Sequence, residues 1–439
     1  MCIFIYNINM PIRKIVLSPS NGEESVLTID CGFSDPKLGG EVYLSQYTNL
    51  KTGIIVAHDI SGLYGYENNP NLEFLNCNTN KLSGNLPDLS ELTNLHTLTC
   101  YRNQFTGPLN IANLYELTGV YCYENKFSSF TSFDNLSKLR NFNAANNVIE
   151  GDIPNLDGAI NLVNFNCWNN KLTGPIPNIN KLKNLKVFNC YNNKLIGPIP
   201  SLNDLPALEQ FNCYANKLNR NIGNLNNLIN LKTFNCYSNE LEGSLPNLNT
   251  LTNLEVFNCY INKLTGPIPD LNGLTKLKIF NCYRNNLDGN IPEINTLTNL
   301  EILNCYRMQL SGSMPSLNGL TKLKIFSCYN NKITGSIPNL STLSSFEQFN
   351  CAGNNITGFD GGSIPATLKN IQIHNNDIAT SAIDAILAAL VANNSTTGFI
   401  YLGGLNKDPS SLGEANATIL RNRGWTVAES PPPPPPDET

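Results

Sequence analysis

The stretch Leu231-Lys-Thr-Phe-Asn-Cys236-Tyr237-Ser-Asn239-Glu-Leu241 decides the reading of this chain. It spells LxxFxCxxNxL, and the same spelling returns at steps of 22 or 23 residues, with cysteine, tyrosine and asparagine in place. Units begin at Leu50, Leu72, Leu95, Leu117, Leu139, Leu162, Leu185, Leu208, Leu231, Leu254, Leu277, Leu300, Leu323, Phe346 and Leu368. A fixed period of this length is the mark of stacked supersecondary units that bury their apolar faces against one another. The 439 residues are therefore read mainly as one long array.

Each unit alternates in the manner of a strand, so Phe234 and Cys236 share one face while Asn235 and Tyr237 share the other. Phenylalanine and cysteine are expected in the core, and asparagine and tyrosine outside. Asn239 marks the strand end, where its amide satisfies free backbone groups. After each strand comes a segment such as Thr265-Gly-Pro-Ile-Pro269, whose glycine and prolines forbid a regular helix. The return path is predicted to be extended, with at most a short 3₁₀ turn.

This pattern, LxxLxLxxNxL followed by LxGxIPxxLxxLxx, resembles the leucine-rich repeat family in its plant-type Gly-x-Ile-Pro variant. The resemblance runs over about residues 50 to 380. It implies an α/β repeat fold rich in β-structure: a solenoid of about 15 repeats with a parallel sheet on the concave side and binding mostly on that face. Residues 1–49 fall outside the period and are read as an N-terminal β cap or attachment segment, with strands at Val26–Asp30 and Glu41–Leu44. Residues 381–428 are read as a C-terminal α/β cap. There a helix begins at Ser381 as N-cap, a strand follows at Phe399–Leu402, a second helix runs from Ser411 to Arg423, and a last strand starts at Trp425. Residues 429–439 form a proline-rich tail predicted to be disordered. The stretch from Ser381 to Asn393, with Tyr401-Leu-Gly-Gly404 and Arg423-Gly-Trp-Thr-Val427, is similar to the closing segment of leucine-rich repeat proteins of bacteria and tailed phages. That similarity implies a virion or tail-fibre-like component.

Of the 14 cysteines, those from Cys77 to Cys351 occupy one repeat position, which marks them as a buried ladder of free thiols. A soft-metal array along the same sulfurs is the alternative reading. Only Cys2 and Cys31 lie outside the ladder. Net charge is −5 and only 14% of residues are charged, against roughly a quarter in ordinary domains. That balance excludes a nucleic-acid backbone as main partner, since such binding needs clustered positive charge. No stretch has the roughly 18 apolar residues of a membrane span. The short run Met1–Tyr6 precedes Arg13 and Lys14, the reverse of a signal peptide, so the chain is predicted to be made in the cytosol without one.

The outward row holds the candidate ligand-binding residues: Trp168, Tyr191, Tyr214, Asn235, Tyr237, Asn258, Tyr260, Tyr283 and Tyr306. Aromatic rings flanked by amides suit sugars, which offer C–H faces and hydroxyls together. The same rings and amides also suit mutual stacking that serves the sheet alone. Trp168 adjoins Ala145, where the row lacks a ring, and its indole is expected to fill that gap. A row of lysines (81, 126, 171, 194, 217, 263, 332) is read as a solvated turn, with acidic polysaccharide as the other reading.

His58, His96 and His374 are too far apart in the array to meet, so no catalytic site, cofactor or metal is expected. The resulting expectation is a non-enzymatic binding protein of a phage particle. Its partners would be a host-surface glycan or protein, and other virion proteins through residues 1–49 or the tail. A structural virion spacer and a cellular adaptor or inhibitor are the alternatives.

Overall fold

The computed structural model describes residues 15–20, 24–29, 39–45, 49–56 and 59–430, with 15–20, 24–29 and Gly39 described by backbone alone. Cys2, Cys31, His58 and the proline tail lie outside the described residues. The chain forms two compact units, Met1–Leu218 and Asn219–Thr439.

In the first unit, strands Ile15–Ser20 and Glu24–Ile29 form an antiparallel hairpin, and the second of them pairs in parallel with Leu50–Ile55. The strand at residues 15–20 carries no alternation visible in the sequence and was not foreseen. From there every strand is parallel and in register: Phe142 faces Phe165, Phe165 faces Phe188, and Phe188 faces Phe211. The second unit repeats the arrangement. Thr233–Asn235, Val256–Asn258, Ile279–Asn281, Ile302–Asn304 and Ile325–Ser327 pair one to the next without a shift. Gly39–Tyr43 sits apart from this sheet and pairs with Asp59–Tyr64 on the return side.

Equal repeat length explains the register. A one-residue slip would turn each Phe and Cys out to solvent, so the apolar alternation pins every strand. Phe234, Phe257 and Phe280 are fully buried, and their rings stack with centroids 5.5 Å apart. The cysteines from Cys77 to Cys351 are all buried and unbridged. Burial pushes the Cys77 thiol up to about 12 and raises Cys100 and Cys167 likewise, because the thiolate loses its hydration.

The return segments are extended, as the glycine and prolines require, and many join into short parallel ladders. Glu240–Ser244 pairs with Lys263–Pro267, which pairs with Asn286–Asp288. Between ladder and next strand the chain closes by turns such as Leu231 N–H to Leu228 O at 2.9 Å.

At the C-terminal end, helix α1 (Thr380–Ala392) buries Ile383, Ile386, Leu387 and Leu390. Its start differs from the sequence expectation: Ala379 holds the cap position, and Ser381 lies inside the first turn. The boundary is set by tertiary bonds, with Ala379 N–H donating to Thr357 O at 3.0 Å and Thr380 Oγ1 to Asp408 O at 2.9 Å. Helix α2 (Ser411–Asn422) is capped by Ser410 Oγ. Strands Gly398–Tyr401 and Trp425–Ala428 extend the parallel sheet.

Candidate functional site

Four side-chain rows line the strand side of each unit, and their geometry fixes what they offer. The first is the amide row. Asn189 Nδ2 donates to Asn166 Oδ1 at 2.6 Å, and Asn212 donates to Asn189 at 2.7 Å. In the second unit Asn258 donates to Asn235, Asn281 to Asn258 and Asn304 to Asn281, each at 2.8 Å. Every interior amide gives one N–H and takes one, a chain in which each bond polarises the next.

The second row is aromatic. Trp168 stacks on Tyr191 with centroids 5.1 Å apart, and Tyr191 on Tyr214 at 4.3 Å. In the second unit Tyr237, Tyr260, Tyr283, Tyr306 and Tyr329 form one column, with spacings of 4.3 to 4.4 Å and planes 10 to 14° apart. The strand spacing of a β-sheet, about 4.8 Å, is close to the offset-stacking distance of phenol rings, so equal repeats place the rings in contact without strain. Each interior ring therefore has both faces covered by its neighbours and presents only its edge and hydroxyl. The hydroxyls of Tyr306 and Tyr191 are pushed up in pKa, first by desolvation and then by the neighbouring phenols.

From Tyr101 onward two steps in the row lack a ring. Ala145 is 1% exposed, so the step beside Trp168 is closed over rather than open as a notch. Ala352 follows Tyr329 and is 5% exposed. There the column ends, with the guanidinium of Arg307 5.9 Å from the Tyr329 ring centre.

The third row alternates in charge: Lys232, Glu255, Lys278, Glu301, Lys324, Glu347 and Lys369. Lys278 Nζ meets Glu255 at 2.6 Å, and Lys324 Nζ meets Glu301 at 2.7 Å. Those bonds lower both glutamates below the usual carboxylate range and raise both lysines. This column was legible once the repeats are aligned, at the residue after each leading leucine, and the sequence reading passed over it. The lysine row beyond Asn239 is partly neutralised, with Lys263 on Glu240 at 2.8 Å, Lys171 on Glu150 at 3.0 Å and Lys81 on Asp59 at 3.2 Å.

The fourth row follows the tyrosines in a left-handed backbone conformation, with Asn192, Ser238, Ile261, Arg284 and Arg307 all at φ of 52 to 54°. Beneath it runs the buried asparagine ladder. Asn285 Nδ2 donates to Cys259 O at 3.1 Å and Cys282 O at 2.8 Å, while its Oδ1 accepts from Leu264 N–H at 3.0 Å. These amides hold the strand ends and face no ligand.

The structure thus brings the candidate residues together: Trp168, Tyr191 and Tyr214 in one stack of the first unit, and Asn235 and Asn258 beside Tyr237, Tyr260, Tyr283 and Tyr306 in two rows of the second. His96 Nε2 lies 3.8 Å from the Glu116 carboxylate, and His374 packs edge-on to Tyr401 at 6.4 Å. Among the described residues, no group of three or more His, Cys, Asp or Glu is placed to hold a metal ion, and no helix is long and apolar enough to cross a membrane.

No family model and no curated protein matches the chain. Solved structures do. The Arabidopsis receptor kinase HAESA, in complex with the peptide hormone IDA and the co-receptor SERK1, is 27% identical with a TM-score of 0.72, over 85% of this chain and 66% of that one. This chain thus spans just under two thirds of that solved chain. The plant peptide hormone receptor RGFR1, in complex with RGF2, is 23% identical with a TM-score of 0.70, over 90% of this chain and 70% of that one. The functional domain of InlJ from Listeria monocytogenes, described as including a cysteine ladder, is 24% identical with a TM-score of 0.62, over 79% of this chain and 72% of that one. With the repeat spacing and the register above, these likenesses establish the fold: the protein is a leucine-rich repeat solenoid with a C-terminal helical cap.

Proposed function

We propose that this is a non-enzymatic binding protein whose Asn/Tyr face receives a macromolecular partner, and that it serves on a phage particle to contact a host-surface glycan or protein. The observation that carries the binding reading is the pair of rows: amides and phenol hydroxyls repeated at strand spacing, interleaved with an alternating charge column. Such a surface offers both donors and acceptors to an extended partner laid across the repeats. Because the ring faces are mutually covered, contact comes through hydroxyl edges and amides rather than through stacking on a sugar ring. The likeness to receptors solved with peptide hormones favours a protein or peptide partner for this face. The particle setting rests on the similarity of residues 381–427 to phage and bacterial closing segments, and a cellular leucine-rich repeat protein accords equally with the solved likenesses.

The test uses the full chain and its Tyr283→Phe/Tyr306→Phe double variant, which keeps the stack and removes two hydroxyls. Binding to intact host cells is expected to weaken at least about tenfold, the value of one or two hydrogen bonds. Unchanged binding by a folded double variant would sink the reading.

One observation favours a second reading. The rings and amides already satisfy one another, as they would in a rigid spacer with no ligand at all. On that reading, deleting residues 1–49 abolishes particle association while the phenylalanine variant changes nothing. Mass spectrometry of purified particles separates both from a cellular adaptor, which would be missing there.

A further inference from the structure

Beside the tyrosine column of the second unit stand two cations that neither the stack nor the alternating charge column uses. Arg284 and Arg307 follow Tyr283 and Tyr306 in successive repeats, with φ of 53° and 54°. Arg284 N–H donates to Tyr306 O at 3.0 Å and Arg307 N–H to Tyr329 O at 2.9 Å, so the two arginines lie one strand spacing apart. Arg307 is exposed and Arg284 half-buried. Ile261 and Asn330 flank the pair in the same left-handed row.

The first unit shows how this row satisfies an arginine. Arg102, φ 54°, is followed by Glu124, φ 55°, and its Nε donates to the Glu124 carboxylate at 2.9 Å. Arg284 is followed instead by a second arginine, and among the described residues neither guanidinium is ion-paired. Like charges on neighbouring strands repel and cost stability. On a chain of net charge −5 they make a local excess of positive charge. A hydroxyl donor lies beside them. The Arg307 guanidinium is 5.9 Å from the centre of the Tyr329 ring, the last of the column. Burial raises the Tyr329 hydroxyl above its usual pKa, while the charges of Arg307 and Arg284 both pull it back. Both cations are therefore within electrostatic reach of one phenol, which stays protonated at neutral pH.

We propose that Arg284 and Arg307, with the Tyr329 hydroxyl, bind a phosphomonoester group carried by the partner. The site adjoins the Asn/Tyr face, and the proposal rests on the reading of that face as the binding surface. Each planar guanidinium gives parallel N–H donors to phosphate oxygens. A phosphomonoester carries close to two negative charges at neutral pH, so one group cancels both arginines and removes their repulsion. A carboxylate brings one charge and two oxygens, and leaves one arginine without a counter-ion.

The test is a thermal-shift and phosphorus-NMR titration of the full chain at constant ionic strength. Inorganic phosphate, glucose 6-phosphate and a phosphoserine peptide are the probes, and acetate is the carboxylate. The phosphates are expected to bind and acetate to bind far more weakly. Arg284→Asn and Arg307→Asn install the residue that this row already carries at Asn192 and Asn330, so both variants should fold, with midpoints in chloride above the parent's. Each should weaken phosphate binding about tenfold or more, the loss of one charge-assisted pair. Arg102→Asn should bind as the parent does. Tighter binding of the peptide assigns the group to a protein partner and tighter binding of the sugar phosphate to a glycan, and either supports the site. Four results overturn it: no phosphate binds, acetate binds as well, the Arg284 and Arg307 variants bind as the parent does, or Arg102→Asn loses as much as they do. The two readings fail separately. Host-cell binding that falls in Tyr283→Phe/Tyr306→Phe but not in the arginine variants overturns the phosphomonoester site and leaves the Asn/Tyr face standing. Phosphate binding that the arginine variants lose, with cell binding unchanged in the tyrosine variant, supports the arginine site and sinks the face.

Discussion

Tyr283 and Tyr306 lie face to face with ring centres 4.3 Å apart and planes 14° from parallel. Tyr260 covers the other face of Tyr283 at 4.4 Å. Such contacts are worth about 0.5 to 1.5 kcal/mol each beyond the area they bury. Tyr283→Ala is therefore expected to cost roughly 2 to 3 kcal/mol by urea unfolding, and Tyr283→Phe under about 1 kcal/mol. An equal loss from both would show that the hydroxyl, and not the stack, holds the column.

Between Asn80 and Asn376 the asparagine ladder has one break, at Met308, which is 4% exposed. Asn331 in the next repeat takes Leu310 N–H at 3.0 Å and donates to Cys305 O at 2.9 Å, whereas a thioether gives Leu287 N–H no comparable acceptor. Met308→Asn should stabilise the protein by about 1 kcal/mol, in the way that restoring a repeat consensus does. Asn285→Ala should destabilise it by roughly 3 kcal/mol, since it strips partners from several buried backbone groups. Thermal midpoints that fall for both would contradict this account of the ladder.

Thiol chemistry gives a third check. The ladder cysteines from Cys77 to Cys351 are buried, and desolvation raises the pKa of members such as Cys77 and Cys190, which leaves them little thiolate at neutral pH. Iodoacetamide at pH 8 is expected to leave these residues unmodified in the native protein and to label them all in urea, as read by peptide mass spectrometry. Rapid native labelling of Cys236 or its neighbours would show the core opening locally.

The alternating charge column sets a pH dependence of known sign. Glu255 and Glu301 have folded pKa values below their unfolded ones, so their contribution is present above the unfolded carboxylate pKa and lost as pH falls through the lower, folded value. Lys278 and Lys324 are raised, so their contribution is whole below the unfolded lysine pKa and lost as pH rises through the folded one. The lysines are exposed and the glutamates partly so, and screening keeps the effect small. The thermal midpoint should fall between pH 5 and pH 3, by less in Glu255→Gln/Glu301→Gln, and by less for the parent in 1 M salt. An identical fall in parent and variant would remove the column from the acid response.

The period of leucines, with Phe and Cys alternating against Asn and Tyr, determined the repeat architecture, the inward face and the burial of the thiols, because a strand has only two sides and a stacked repeat has one apolar environment for each position. The glycine and prolines of segments such as Thr265–Pro269 likewise determined an extended return path. The tertiary structure decided what no single repeat contains. Stacking distance between Tyr283 and Tyr306 is a property of neighbouring strands, and it turned a row of apparently open ring faces into a row of edges. The start of α1 passed from Ser381 to Ala379 because Thr357 and Asp408, distant in sequence, hold that turn. Arg220 reads in sequence as a departure from the repeat. Only the fold shows it held in a glycine's conformation, φ 71°, since backbone angle is set by the packing of adjacent turns.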